Sequence, residues 1–116
     1  MRIERPRAAR YTFVASVTVT DLESGSQTLE NTQNLSLFGC QITARIPTSV
    51  GTRVRVQIFY NRGAFEAQGR VVNIQSFGAA GITFTHISER HQQVLDKWIA
   101  ELRKKALYSE VSRLPA

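Results

Sequence analysis

Cysteine is the scarcest informative residue in this chain of 116 residues, because Cys40 is the only one. A single cysteine excludes an internal disulfide and any cysteine-rich zinc site. Cys40 stands in an apolar, strand-like stretch, where a small buried thiol is a more common finding than a reactive one. We therefore expect Cys40 to belong to the core.

Long apolar runs are also missing from the sequence. No stretch approaches the ~20 apolar residues that a membrane-spanning helix needs. The first five residues, Met-Arg-Ile-Glu-Arg, lack the apolar core of a signal peptide. The sequence predicts a soluble, cytoplasmic protein without a membrane span.

Groups that could carry catalysis are few and scattered. The two histidines, His86 and His91, follow no pattern that would place either beside an activated serine or cysteine. The nine acidic residues form no close pair suited to acid–base work. Metal-ligand spacings, a P-loop and a dinucleotide fingerprint are all absent. These absences favour a binding module over an enzyme, with no metal and no resident cofactor.

Positive charge, by contrast, is plentiful. The chain has 15 basic and 9 acidic residues, which gives a net charge of +6 and favours anionic partners. Four arginines lie within residues 1–10, and a second basic cluster, Arg103-Lys104-Lys105, lies near the C-terminus. The apolar content of 42% is ordinary for a globular protein, and the length suits a single domain.

Alternating apolar and polar residues dominate the sequence from Tyr11 to about Ile87. Period-two alternation is typical of half-buried strands, and the turn signals between the stretches are short. The pattern predicts strands over 11–20, 27–35, 39–44, 53–58, 65–75 and 81–86. Apolar residues then recur at helical spacing, and Ser88 is a suitable N-cap. We predict a mainly β fold: a six-stranded antiparallel β-barrel with a C-terminal amphipathic α-helix.

Two segments carry the functional signal. One is the arginine-rich start, with Arg5, Arg7 and Arg10, which runs straight into the first strand. The other is the turn Asn34-Leu35-Ser36-Leu37-Phe38-Gly39. Arginine forks fit phosphate and the edge of guanine, and the turn supplies short polar side chains with a glycine that permits close approach. Together they predict a pocket for a small, doubly charged nucleotide.

The order of these features resembles the PilZ domain family, small barrels through which bacteria sense cyclic di-GMP. The turn matches the family's (Asp/Asn)-x-Ser-x-x-Gly motif, and the strand from Gly81 and the C-terminal helix follow in order. If Arg10 is the last arginine of the family's arginine motif, Arg5 matches the first, Pro6 takes the place of the second, and Arg7 is an extra cation.

The resemblance implies a role for each site residue. Arg5, Arg7 and Arg10 would hold phosphate oxygens and the O6/N7 edge of guanine. Asn34 would meet the polar edge of a guanine, Ser36 would add one hydrogen bond, and Gly39 would let the ligand approach the backbone. The implied organisation is a flexible arm over 1–10, a PilZ-like split barrel with its helix over 11–106, and a tail over 107–116.

The implied ligand is cyclic di-GMP, with the arm folding over it to form a surface that an effector protein reads. The alternative is a PilZ-like adaptor that binds no nucleotide and works through protein–protein contacts, which the proline at position 6 favours. A nucleic-acid-binding barrel is a weaker alternative, because Phe13, Phe65 and Phe84 are expected in the core rather than exposed for stacking. Homodimerisation through the helix or a sheet edge stays open.

Overall fold

The computed structural model describes residues 8–45 and 48–112, with side chains described up to residue 108. Within these ranges the chain forms seven strands and one helix: β1 (Tyr11–Thr12), β2 (Ser16–Asp21), β3 (Gln27–Leu35), β4 (Gly39–Thr43), β5 (Arg53–Tyr60), β6 (Gly63–Gln75), β7 (Ala79–His86) and α1 (Glu89–Ser112).

All strand pairs are antiparallel, and six of the strands close into a barrel. The order β3-β2-β5-β6-β7-β4 is completed by pairing of β4 with β3. The short strand β1 pairs with the end of β3 that β2 leaves free. The predicted antiparallel barrel with a C-terminal helix is confirmed.

The predicted strand over 11–20 is divided into β1 and β2 by a side chain from β3. The buried hydroxyl of Thr32 accepts from the Ala15 amide at 2.9 Å and donates to the Phe13 carbonyl at 2.8 Å. These bonds lie where regular pairing is interrupted between Thr12 and Ser16, although the Thr32 amide still donates to the Ala15 carbonyl at 2.9 Å. The alternation of Phe13, Ala15 and Val17 into the core nevertheless persists across the break.

The helix closes the barrel with the apolar residues of its first half. Leu95, Trp98 and Ile99 are buried, and the Trp98 ring lies 5.8 Å from Phe13 and 6.2 Å from Phe65. The Ser88 hydroxyl accepts from the His91 amide at 3.4 Å, as expected of an N-cap.

The second half of α1 extends past the barrel. Residues 103–108 are all exposed, and the helix continues to Ser112. The segment 107–116 expected as a tail therefore begins as helix, and residues 113–116 lie outside the described residues. Neither α1 nor any other described segment forms a helix long and apolar enough to cross a membrane.

Candidate functional site

Four of the six predicted site residues line one cleft of about 120 Å³: Arg10, Asn34, Ser36 and Gly39. The strand pairing explains this, because β1 places Thr12 opposite Asn34 while β4 places Gly39 opposite Thr83 of β7. Arg5 and Arg7 lie outside the described residues.

Ser36 organises the turn between β3 and β4. Its Oγ accepts from the amides of Phe38 and Gly39, both at 3.2 Å. Its own amide donates to the Gly39 carbonyl at 2.9 Å. Ser36 is only 8% exposed. Its hydroxyl therefore acts by holding the turn that forms one wall of the cleft.

Gly39 is required by the contact between β4 and β7. A Cβ at this position would lie 2.1 Å from the carbonyl oxygen of Ile82, which is backbone and held by the sheet. The preceding turn residue is also bound to β7, since the Phe84 amide donates to the Phe38 carbonyl at 2.8 Å. The glycine thus lets the turn lie against β7 whether or not a ligand is bound.

Asn34 is held by a residue that sequence reasoning did not select, Gln41. The Gln41 amide donates to Asn34 Oδ1 at 3.0 Å, and Asn34 Nδ2 donates to Gln41 Oε1 at 3.1 Å. Gln41 Nε2 in turn donates to Gln75 Oε1 at 2.9 Å. The alternation in β4 could have identified Gln41 as a residue on the outer face of the barrel, because Cys40 and Ile42 on either side of it are buried.

Arg10 is exposed at the entrance to β1 and supplies the positive charge of the cleft. Among the described residues the one ion pair joins Glu30 and Arg45, so no described carboxylate neutralises Arg10. The cleft lining includes no acidic residue. An anion above the cleft would therefore meet a guanidinium fork that is available for two acceptors.

One side of the cleft is apolar. Val72, at 47% exposure, lies beside the polar residues of the turn. The pairing of β6 with β7 shifts register between Val71 and Asn73, and Val72 is the extra residue of this bulge. Bulges re-aim side chains, and here the bulge presents a branched apolar side chain next to amide and hydroxyl groups.

Three titratable groups outside the cleft chemistry, Cys40, Glu30 and His91, are buried or hydrogen-bonded within the fold. Burial raises the pKa of the Cys40 thiol from 9.0 to about 12, so the thiol stays protonated at neutral pH. The buried carboxylate of Glu30 accepts from the Thr43 hydroxyl at 2.8 Å and pairs with Arg45. His91 Nδ1 accepts from the Glu66 amide at 3.1 Å. In the described part of the chain, no three His, Cys, Asp or Glu residues could hold a metal ion.

Solved structures with a similar fold include a PilZ domain with c-di-GMP of YcgR from Escherichia coli, at TM-score 0.69 and 17% identity, covering 96% of this chain and 100% of that chain. A second is a complex of MrkH with c-di-GMP from K. pneumonia, at TM-score 0.73 and 15% identity, covering 92% of this chain and 56% of that chain. A third is the Bacillus subtilis inhibitor of motility MotI/DgrA, at TM-score 0.67 and 18% identity, covering 98% of this chain and 56% of that chain.

At these identities the likeness concerns the fold alone, and the chain spans little more than half of the MrkH and MotI/DgrA chains. No curated protein sequence matches the chain. The model of the PilZ domain family, however, matches residues 4–101. Because this match covers most of the sequence, the chain belongs to the PilZ domain family.

Proposed function

We propose that this chain binds cyclic di-GMP over the cleft formed by Arg10 and the Asn34–Gly39 turn. The observation that carries the proposal is the meeting of Arg10, Asn34, Ser36 and Gly39 in one cleft, in a chain of the PilZ family. Two of the similar structures are complexes with the same nucleotide, which supports the choice of ligand.

The chemistry of the cleft suits the two parts of this ligand. The guanidinium of Arg10, which forms no ion pair with a described acidic residue, donates hydrogen bonds to the phosphate oxygens. The side-chain amide of Asn34 forms hydrogen bonds with the edge of a guanine, and the flat base lies against the exposed methyl groups of Val72. In this arrangement Ser36 and Gly39 act mainly by holding the turn in shape.

The cleft is small for its ligand. At about 120 Å³ it lies well below the ~300–1,000 Å³ of pockets that enclose drug-sized molecules. The nucleotide therefore lies over the cleft, and we assign its outer cover to the N-terminal arm with Arg5 and Arg7. Charge-assisted hydrogen bonds of ~1.5–3 kcal/mol each would offset the ~1–2 kcal/mol per residue that ordering an arm costs.

The covered nucleotide would create a new surface for a protein partner to read. For the weaker alternative, a nucleic-acid-binding barrel, Phe13, Phe65 and Phe84 offer no stacking platform, because all three are buried. An adaptor without a nucleotide is the competing function, since Pro6 stands at the second arginine position of the family motif.

The test is isothermal titration calorimetry with cyclic di-GMP at ~150 mM salt on the wild type, Arg10→Ala and Arg90→Ala. The wild type should bind with micromolar or tighter affinity, and Arg10→Ala should weaken binding by roughly 10- to 100-fold. Arg90 is also exposed but lies on the helix, so Arg90→Ala removes the same charge and should bind normally.

Absence of heat together with an unchanged Tm at saturating nucleotide would overturn the proposal in favour of the adaptor, because a ligand that binds only the folded state must raise Tm. Equal losses in the two arginine variants would mean that general charge, not this cleft, attracts the nucleotide.

A further inference from the structure

Three side-chain amides form a chain that leads away from the cleft: Asn34 of β3 and Gln41 of β4, which line the cleft, and Gln75 at the end of β6. All three side chains are half-buried. Asn34 and Gln41 face each other across the β3–β4 pair, whereas Gln75 reaches Gln41 from another strand. We refer to Asn34, Gln41 and Gln75 as the amide relay.

The direction of every hydrogen bond in the amide relay follows from one backbone group. The Gln41 backbone N–H can only donate, so the atom of Asn34 at 3.0 Å from it must be the oxygen. Asn34 Nδ2 then faces Gln41 and must donate to Oε1. Gln41 Nε2 consequently faces Gln75 and must donate to its Oε1.

This bonding determines what Asn34 can offer to a ligand. An amide side chain carries two N–H donors and two oxygen lone pairs. Gln41 uses one of each, which leaves one N–H and one lone pair of Asn34. The remaining donor suits the O6 acceptor of guanine, and the remaining lone pair suits its N1–H donor.

We propose that Gln41 is a positioning residue that orients the Asn34 amide for guanine recognition, with Gln75 fixing the orientation of Gln41. This inference rests on the proposed function, since it names what sets the specificity of the same cleft. It adds two residues outside the Asn-x-Ser-x-x-Gly motif to the determinants of binding.

The amide relay also predicts how aspartate would behave at position 34. A carboxylate only accepts, so in Asn34→Asp the Gln41 amide must turn its Nε2 toward the carboxylate and its Oε1 toward Gln75. Gln75 can then rotate its own amide so that its Nε2 donates to Gln41 Oε1. The fold would tolerate this reversal, but the N–H donor that Asn34 offers would be lost.

The first test needs no ligand. In NMR spectra of the free protein, the Asn34 side-chain N–H signals should shift and exchange faster with solvent in Gln41→Met than in the wild type. In Gln41→Glu they should stay near the wild type, because a carboxylate still accepts from Asn34 Nδ2. Gln57→Met is the matched control, since Gln57 is also half-buried on a strand but lies outside the cleft.

The second test is a double-mutant cycle in calorimetry with cyclic di-GMP. Gln41→Met should weaken binding roughly two- to tenfold, the range expected for one neutral hydrogen bond. In an Asn34→Ala background, Gln41→Met should have almost no further effect, because Gln41 acts through Asn34.

The possible failures are distinct. A wild type that does not bind overturns the proposed function, while the NMR comparison still decides whether the amide relay exists. Asn34 signals that are the same in Gln41→Met and in the wild type would overturn the amide relay. Additive losses in the double-mutant cycle would show that Gln41 does not act through Asn34.

Discussion

Single residues of the cleft hold the barrel together as well as lining the proposed ligand site. The Ser36 hydroxyl is already bound to two turn amides, and Gly39 admits the backbone of β7. Substitution of either residue would therefore change folding together with the proposed binding. Arg10 is exposed and makes no ion pair with a described residue, so its loss reports on binding alone.

At Gly39 we predict that alanine would destabilise the fold by more than about 3 kcal/mol, because the new Cβ would lie 2.1 Å from a backbone oxygen. Gly25→Ala is the matched control: Gly25 has φ +79°, but a Cβ added there would have no other atom within 4 Å. Its backbone strain alone should cost about 1–2 kcal/mol. Urea unfolding monitored by Trp98 fluorescence measures both values, and equal losses would contradict the close approach of β4 and β7.

At the scale of elements, the strands were largely predictable, since alternation alone marks the barrel-facing side of β5 and β6. The turn between them is local as well, since Asn61 and Arg62 adopt φ 50° and 64°, as a two-residue hairpin turn requires. The division between β1 and β2 was not predictable, because its cause is Thr32 of a different strand.

We expect the first half of α1, and not its second half, to hold the helix against the barrel. Trp98→Ala should lower the free energy of unfolding by about 3–5 kcal/mol, because Trp98 is 5% exposed and contacts rings of the barrel. Leu107→Ala should change it by less than about 0.5 kcal/mol, since Leu107 is 57% exposed. Chemical denaturation of both variants decides the matter, and a large loss in Leu107→Ala would mean that the outer half of α1 is packed.

At the scale of the whole molecule, closure of the barrel buries Cys40 and couples its ionisation to folding. The thiol has a pKa of about 12 in the fold instead of 9.0. Above pH 9 the unfolded chain loses this proton while the folded chain keeps it. The contribution to stability is therefore complete below pH 9 and is lost progressively as pH rises toward 12.

We accordingly predict that between pH 9 and pH 10 the wild type loses roughly 1 kcal/mol more free energy of unfolding than Cys40→Ala does. The measurement is the free energy of unfolding in urea at pH 8, 9 and 10 for both proteins. Cys40→Ala has a lower starting stability, so the slopes and not the absolute values are compared. Parallel slopes would show that the thiol is not buried in the folded state.

The sequence by itself determined the alternation, the hairpin signals, the helix and the two segments that suggest a nucleotide, because these depend on residues close together in the chain. Only the tertiary structure decided that Thr83 of β7 and Val72 of β6 complete the cleft, that Gly39 meets Ile82 and that Gln75 holds Gln41. These contacts arise from strand register and barrel closure, which join residues far apart in sequence, and no local pattern specifies them.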